Sequence, residues 1–469
     1  YEIGSGLVGS EMCIRDRIAQ FHEEFCVPPC LRQGVFYYFW TNDWGMNTDR
    51  RQTASFLFEQ EREKVQRNFS VMVKCVGPVC NLDCDYCYYL DKNALYPDKK
   101  FSLQGFRMNE QVLEKLIRDV ITSQPQKRIE FIWHGGEPTL LGIDYFQKIV
   151  DLQQKYADGK EIANSFQTNG TLINDKWAEF LASHHFLCGL SLDGPQKFHD
   201  NHRRFINGQG SWEKVMKCIE LFHEYEVEFN TMSVVNASNS KQPALIYEFL
   251  KSTGSRFMQF SPIAERIALD EHEPLSVVSN TYKKETAVMQ ENVSAIDWGN
   301  FLCRIFDLWV KKDVGEFFIN YFDNTLAAYI GQAPSLCSMS PFCGCSPAIE
   351  HNGDVYCCDH FVFPENHIGN TTNLSLAEMV KSDKQLFFEQ RKQDTLSAQC
   401  RACEFLPMCG GDCPKNRFVK NEAGEYISCL CQGFQMFFRH TQKQFEFMAN
   451  ELRHQRPPAN IMKKFKHKI

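Results

Sequence analysis

Short apolar runs alternate with amphipathic segments through the middle of the chain. The runs are flanked by turn residues, as expected of strands buried on both faces of a parallel sheet, and lie at residues 71–75, 128–133, 162–167, 186–192, 228–235 and 256–260. Segments with helical periodicity lie between most of these runs. In the first, one face is formed by Val112, Leu113, Leu116, Ile117, Val120 and Ile121, and the others are segments 144–156, 174–183, 211–225 and 242–252. Six β-α units predict an α/β fold, a partial (β/α)6 parallel barrel, with functional groups at the carboxyl ends of its strands.

The pattern divides the chain into four regions. Residues 1–70 show no sustained strand or helix period, and the string VGSEMCIRDR from Val8 to Arg17 resembles translated sequencing-adapter DNA, so this extension is left out of the fold prediction. Residues 71–312 form the predicted barrel and its last helix. Residues 313–445 combine many cysteines with short loops, which predicts a small cysteine-rich domain, and residues 446–469 are expected to be a basic, solvated tail.

Length and charge exclude several classes of protein. The 469 residues allow about three domains, and hydrophobic residues at 43% and charged residues at 23% are typical of a globular protein. No run of about 18 apolar residues is present, so we expect no membrane-spanning segment. A net charge of -7 gives no global basic field, which makes nucleic acid an unexpected partner.

The 21 cysteines are the unusual feature of the composition. A chain of this length does not need disulfides for stability, and no secretory signal is recognisable, so we expect a protein of the reducing cytoplasm. Thiolates are soft ligands that select zinc or iron–sulfur clusters. The cysteines are therefore predicted to bind metal.

Three cysteines lie in one loop directly after the first predicted strand. Cys80, Cys84 and Cys87 have C-x3-C-x2-C spacing. Because iron–sulfur cubanes are normally held by four cysteines, three ligands in one loop suggest a 4Fe-4S cluster with one open iron. A zinc site completed by a distant residue stays open as the alternative.

With Tyr86 before its last cysteine, this loop resembles that of the radical S-adenosylmethionine superfamily. The resemblance implies that Gly135, Gly136 and Glu137, at the end of the second strand, receive the methionine amino group of S-adenosylmethionine. A glycine backbone permits such a close approach. His134, just before them, is either a core histidine or a group on the cofactor side.

Further polar residues follow the later strands and are implied to contact the same cofactor. Thr168 and Asn169 follow the third strand, and Ser191 and Asp193 end the fourth, where their spacing places both on one face. The remaining two candidates are Arg203, which could pair with the cofactor carboxylate, and Ile263, which could pack on adenine. For each residue alone, a turn, a helix cap or plain core is an equally good interpretation.

The later cysteines resemble the SPASM extension of peptide-modifying radical enzymes. That resemblance implies two fully ligated 4Fe-4S clusters, one held by Cys337, Cys343, Cys358 and Cys413 and the other by Cys400, Cys403, Cys409 and Cys431. The neighbouring Cys345, Cys357 and Cys429 could substitute for these ligands. A pair of zinc ribbons is the alternative for this region.

Five strings resemble anaerobic sulfatase-maturating enzymes: CNLDCDYCYY at 80–89, GGEPTLLG at 135–142, QTNGTLI at 167–173, YFDN at 321–324 and GDVYCCD at 353–359. The resemblance implies oxidation of a Cys or Ser in a sulfatase, within a Cys/Ser-x-Pro-x-Arg segment, to formylglycine. It also implies S-adenosylmethionine, three 4Fe-4S clusters and an electron donor such as ferredoxin or flavodoxin.

The reaction requires a base, and two acids are candidates. Asp359 follows the proposed ligand Cys358, whereas Asp323 lies just ahead of the cysteine-rich domain. Asp359 is preferred, because a carboxylate beside the presumed electron acceptor lets proton and electron leave the same region. The rival functions are a maturase that crosslinks a small precursor peptide and a non-catalytic iron–sulfur or zinc module.

Overall fold

The computed structural model describes residues 68–270, 272–279 and 281–466. Residues 1–67 of the extension 1–70 lie outside the described residues, and so do the expectations that concern them. Six parallel strands confirm the predicted partial barrel: β1 Val71–Lys74, β2 Arg128–His134, β3 Glu161–Thr168, β4 Leu187–Ser191, β5 Phe229–Val235 and β6 Phe257–Pro262.

Helices cover the outer face of these strands: α1 Glu110–Thr122, α2 Ile143–Tyr156, α3 Asp175–Ser183, α4 Trp212–Glu224, α5 Pro243–Ser252 and α6 Ala295–Lys312. Asn109 caps α1, its side chain accepting a hydrogen bond from Val112 N at 2.9 Å, and the predicted apolar face of that helix is buried. In β2, the buried residues Phe131 and Trp133 alternate with half-buried ones. His134 therefore ends β2 on the face opposite to Trp133.

The barrel sheet continues into the cysteine-rich region. Its order is β7-β6-β5-β4-β3-β2-β1-β8-β9-β10, where β7 is Phe318–Ile319, β8 is Ala348–Glu350, β9 is Asp354–Tyr356 and β10 is His367–Asn370. Strand β8 pairs with β1 in parallel, with Glu350 opposite Lys74. The cysteine-rich region is thus joined to the barrel by sheet hydrogen bonds.

Two more helices complete the core: α7 Asn320–Tyr329 and α8 Cys431–Arg453. Helix α8 packs closely on α6, since a Cβ on Gly433 would lie 2.2 Å from the carbonyl oxygen of Ala295. The expected boundary at residue 446 falls inside α8, whose apolar stripe continues through Met448 and Ala449, both fully buried. The structure therefore differs from the expected solvated tail, because Ile461 also joins the core.

Short elements connect these parts. Within the described residues, the other α-helices are Leu103–Phe106, Gln196–His202, Leu376–Val380, Asp383–Asp394, Ala398–Arg401, Leu406–Cys409 and Lys463–Lys466. Three antiparallel ribbons pair Leu82–Cys84 with Arg203–Phe205, Arg266–Ala268 with Thr286–Val288, and Val419–Lys420 with Tyr426–Ile427. No helix in the described part of the chain is both long and apolar enough to cross a bilayer.

Candidate active site

The loop that carries Cys80, Cys84 and Cys87 lies over the carboxyl ends of the barrel strands. Burial raises the pKa of the Cys80 thiol to about 12, and the pKa values of Cys84 and Cys87 are raised by the same cause. The three sulfurs lie close to one another, so ionisation of one thiol disfavours ionisation of its neighbours. Clustered, buried thiolates need a cation among them, which fits iron ligation.

The two glycines after β2 hold this cysteine loop against the barrel. Gly136 N donates to the Gly77 carbonyl oxygen at 2.7 Å, and Glu137 N donates to that of Val79 at 2.9 Å. A Cβ on Gly136 would lie 2.0 Å from the Val79 oxygen, and Gly135 has a φ of +135°. The close approach that requires glycine here is that of the loop backbone itself.

The Glu137 carboxylate connects β2 to β3. Its Oε1 accepts from Thr139 N at 3.1 Å, Thr139 Oγ1 at 2.6 Å and Thr168 Oγ1 at 2.8 Å, and its Oε2 accepts from Asn169 N at 2.8 Å. Burial raises the pKa of this fully buried carboxyl. Both oxygens thus fix the strand ends, which the sequence alone did not indicate.

Asn169 lies next to the cysteine loop. Its Nδ2 donates to Asn81 Oδ1 at 2.9 Å and is 3.8 Å from Cys80 Sγ. Its Oδ1 accepts from the Thr171 hydroxyl at 2.7 Å, which holds the amide in this orientation. The structure therefore brings Thr168 and Asn169 together with Glu137 and Cys80.

Arg203 is bound by Asp193. Arg203 Nε donates to Asp193 Oδ2 at 3.0 Å and Nη2 donates to Oδ1 at 3.3 Å, while the Tyr86 hydroxyl donates to the same carboxylate. Although burial opposes ionisation, Arg203 lowers the pKa of Asp193. Arg203 is also paired with Cys84 in the short ribbon, so this ion pair lies beside the cysteine loop.

Ser191 and Ile263 occupy neighbouring strand ends. Ser191 Oγ accepts from Gln167 Nε2 at 3.1 Å, so the side chain that ends β4 contacts one near the end of β3. Ile263 is 5% exposed, and its backbone N–H donates to the Val235 carbonyl oxygen at 2.9 Å just past β6. The polar and apolar candidates thus line one edge of the barrel.

Asp359 reaches the barrel from the cysteine-rich region. Its Oδ1 forms an ion pair with Lys74 at the end of β1, and its Oδ2 accepts from the Tyr88 hydroxyl at 2.5 Å. Although burial opposes ionisation, Lys74 holds the pKa of this carboxyl well below its usual range. Asp323 lies instead in the first turn of α7 and is half-buried.

The cysteines of the second region form two groups. Cys343, Cys358 and Cys413 pack on one cluster, and Cys337, Cys413 and Cys343 are all near enough to Cys358 to raise the pKa of its thiol, so these four lie together. The other group, Cys400, Cys403, Cys409 and Cys431, lines one cavity. In the described residues, no three His, Cys, Asp or Glu side chains converge as ligands of a single metal ion would.

The extra cysteines have different surroundings. Cys357 is fully buried, which raises the pKa of its thiol, and the charged groups that act most on this pKa are Arg391 and Lys384. For Cys429 the corresponding groups are Asp412 and Lys415. All 18 cysteines of the described residues are free thiols. Cys343, Cys358 and Cys413 pack against the small cluster formed by Cys357, Phe361 and Phe388, so Cys357 lies beside that group of four.

Comparison with known proteins identifies the family. A model of the radical SAM superfamily matches residues 75–250, and a model of the SPASM iron-sulfur cluster-binding domain matches residues 341–404. A serine-type anaerobic sulfatase-maturating enzyme of Bacteroides thetaiotaomicron is 45% identical over 397 residues, covering 84% of this chain and 95% of the relative. The chain belongs to the anaerobic sulfatase-maturating enzymes.

Both named types of anaerobic sulfatase-maturating enzyme are similar to the chain. A cysteine-type enzyme of Clostridium novyi is 31% identical over 82% of this chain and 98% of the relative. The solved structure of anSMEcpe with bound AdoMet and the Cp18Cys peptide superposes with a TM-score of 0.70 at 29% identity, covering 82% of this chain and 99% of that one. The predicted superfamily, the SPASM domain and the class of cofactors, S-adenosylmethionine and iron–sulfur clusters, are confirmed.

Sequence reasoning about this sulfatase-maturating enzyme missed Lys74 and Tyr88. Lys74 is fully buried at the end of β1, and Tyr88 follows the last cysteine of the loop. The available signal was a lysine inside an otherwise apolar strand, since a lysine buried in a strand must be paired.

Proposed function

We propose that this chain oxidises a Cys or Ser side chain of a sulfatase polypeptide to formylglycine. The observation that carries the proposal is the position of Asp359, which comes from the cysteine-rich region yet lies among Lys74 and Tyr88 of the barrel. Asp359 would act there as a base next to the group of four cysteines that contains Cys358, and its contact with Tyr88 ties it to the cysteine loop of the barrel. The family relationship supports the same reaction.

The cofactor sites follow from the same arrangement. Cys80, Cys84 and Cys87 would hold the cluster with an open iron, and the two groups of four cysteines would hold the others. Bound there, S-adenosylmethionine and the first cluster would supply a radical that abstracts hydrogen from Cβ, and the other two clusters would supply centres that accept one electron. The strand-end residues would hold S-adenosylmethionine: Gly135, Gly136, Glu137, Thr168, Asn169, Ser191, Asp193, Arg203 and Ile263.

Asp359 performs the proton transfer. The target side chain loses one hydrogen atom from Cβ, one electron, and the proton of its hydroxyl or thiol. We assign that proton to the carboxylate of Asp359, which is ionised because Lys74 stabilises its charge. Serine then yields the aldehyde directly, whereas cysteine yields a thioaldehyde that water hydrolyses with release of hydrogen sulfide.

The surrounding assignments are part of this proposal. An electron donor such as ferredoxin or flavodoxin would reduce the barrel cluster, and the free thiols suit the reducing cytoplasm. Neither nucleic acid nor a membrane is needed as a partner. We keep the boundary between the barrel and the cysteine-rich domain between residues 312 and 313, which is supported by the end of α6 at Lys312.

The test uses matched peptides that contain Ser-x-Pro-x-Arg, Cys-x-Pro-x-Arg or Ala-x-Pro-x-Arg. Each is incubated anaerobically with the reconstituted, reduced enzyme and S-adenosylmethionine, and the products are identified by mass spectrometry. We expect aldehyde from the serine peptide first, given the 45% identity to a serine-type enzyme, and none from the alanine peptide. A crosslinked peptide without aldehyde would support the rival maturase, and no cleavage of the cofactor would support a non-catalytic module.

A further inference from the structure

Lys74 is a buried charge at the centre of the candidate active site. It ends β1 and is 0% exposed. Its ammonium forms an ion pair with Asp359 Oδ1, lies 3.1 Å from His134 Nδ1 and stands 4.4 Å from the centroid of the Tyr89 ring. A buried ammonium requires such partners, because an unpaired one costs several kcal/mol.

The contacts of His134 fix the direction of the Lys74 ammonium. Nδ1 of His134 also accepts a hydrogen bond from the Gly135 N–H at 2.7 Å. Lysine and the backbone N–H are both donors, so Nδ1 carries no proton and the ring is neutral with its proton on Nε2. Burial and Lys74 agree with this, since they lower the pKa of His134 to about 3.

The contact between the barrel and the cysteine-rich region, where β8 pairs with β1, also fixes the position of Lys74. Tyr89, whose ring the ammonium contacts, donates its hydroxyl to both oxygens of Glu350 at 2.7 and 2.8 Å. Glu350 belongs to β8 and lies opposite Lys74 in the parallel pairing with β1. The backbone of Lys74 is thus fixed by the same sheet contact that brings the cysteine-rich region, and Asp359, to the barrel.

We infer that Lys74 is a positioning residue for the base. It holds one oxygen of Asp359, while Tyr88 holds the other, so that the carboxylate keeps one orientation toward the target side chain. The inference rests on the proposed function. Without the ammonium the carboxylate loses its fixed cation, and proton removal from the target becomes slower than side reactions of the substrate radical.

The test is the amount of formylglycine formed per 5'-deoxyadenosine. Lys74→Met keeps the length of the side chain and removes its charge, and should lower this ratio about tenfold or more while cofactor cleavage continues. Lys92→Met is the matched control, because Lys92 is also a buried lysine but lies over the Phe363 ring, 3.9 Å from its centroid. The control should keep the wild-type ratio.

Two further measurements separate positioning from a structural role. In Lys74→Ala, n-propylammonium should restore the ratio and 1-propanol should not, since only the amine replaces the charge. In the Asp359→Asn background, Lys74→Met should cause no further loss, as expected for a residue that acts through Asp359.

The outcomes can be distinguished. A wild-type ratio in Lys74→Met, or an equal loss in both backgrounds, would overturn the inference and leave the proposed function standing. If Lys74→Met loses iron, the propylammonium experiment decides, and rescue by propanol as well would assign Lys74 a packing role only. If the wild-type enzyme forms no formylglycine in the peptide, the proposed function itself would be wrong.

Discussion

Asp359 has the environment of a buried carboxylate that stays ionised. Lys74 and Tyr88 occupy its two oxygens, and the pKa of the acid is held low. We expect Asp359→Asn, which keeps size and removes the base, to lower formylglycine about a hundredfold or more. Formation of 5'-deoxyadenosine should persist, and both products are measured in one chromatogram.

Asp323→Asn is the matched control, because Asp323 lies in α7 at the first turn of the helix. It should reduce formylglycine less than Asp359→Asn does. Wild-type product in the Asp359 variant, with intact cofactor cleavage, would reject Asp359 as the base and leave Asp323 as the candidate.

Single residues differ in how far sequence could predict them. Asp359 could be predicted from the sequence because it directly follows Cys358. Its position near the group of four cysteines that contains Cys358 is therefore fixed by the chain itself. For Lys74 the apolar strand around it indicates that the lysine is paired, but not with which residues, since its partners Asp359 and His134 are distant in sequence and meet only after folding. Arg203 shows the same limit, because its ion pair with Asp193 is made by tertiary packing.

At the scale of elements, the cysteine loop depends on its contact with the turn after β2. A Cβ at Gly136 would lie 2.0 Å from the Val79 oxygen, so Gly136→Ala must displace the loop. We expect loss of the barrel cluster, about four iron atoms per chain, and loss of cofactor cleavage. Iron analysis and 5'-deoxyadenosine formation measure both.

Gly159→Ala provides the comparison for that substitution. Gly159 has a φ of +76°, and a Cβ placed on it would have nothing within 4 Å, so alanine there meets strain but no clash. It should cost about 1 kcal/mol of stability and leave the iron content unchanged. Equal iron loss in both variants would show that the loop contact is not the cause.

Helix Asp383–Asp394 brings a buried cation to the group of four that contains Cys358. Lys392 is 0% exposed and donates to the Cys337 and Ser338 carbonyl oxygens at 2.7 and 2.8 Å. Because a nearby positive charge favours the reduced, more anionic cluster, Lys392→Met should lower the potential of this cluster by on the order of 60 mV. A potential titration followed by electron paramagnetic resonance would show an unchanged value if the charge has no effect.

Elements were predictable where a local pattern was long enough. The six barrel strands and their helices each carry a full apolar run or helical face, so their positions agree closely with the sequence pattern. Strand β8 has only three residues, and its pairing with β1 joins segments far apart in the chain. Such a contact has no local signal, whereas the continuation of α8 beyond residue 445 has one in the apolar positions Phe445, Met448 and Ala449.

For the whole molecule, we expect three clusters and about twelve iron atoms per chain. Replacing Cys80, Cys84 and Cys87 together by Ala should leave about eight iron atoms and abolish cofactor cleavage, because the other two groups of four are separate in the structure. Iron analysis with electron paramagnetic resonance measures this. Cofactor cleavage that survives in the triple variant, or a wild-type protein dominated by zinc, would contradict the assignment.

The most direct test of the whole account follows one hydrogen atom. A Ser-x-Pro-x-Arg or Cys-x-Pro-x-Arg peptide with deuterium at both Cβ positions of the target residue is incubated with reduced enzyme and S-adenosylmethionine. The account predicts that deuterium appears in 5'-deoxyadenosine and that the peptide becomes an aldehyde that keeps the other deuterium. Aldehyde without deuterium transfer, or transfer that leads to a crosslinked peptide and no aldehyde, would contradict it.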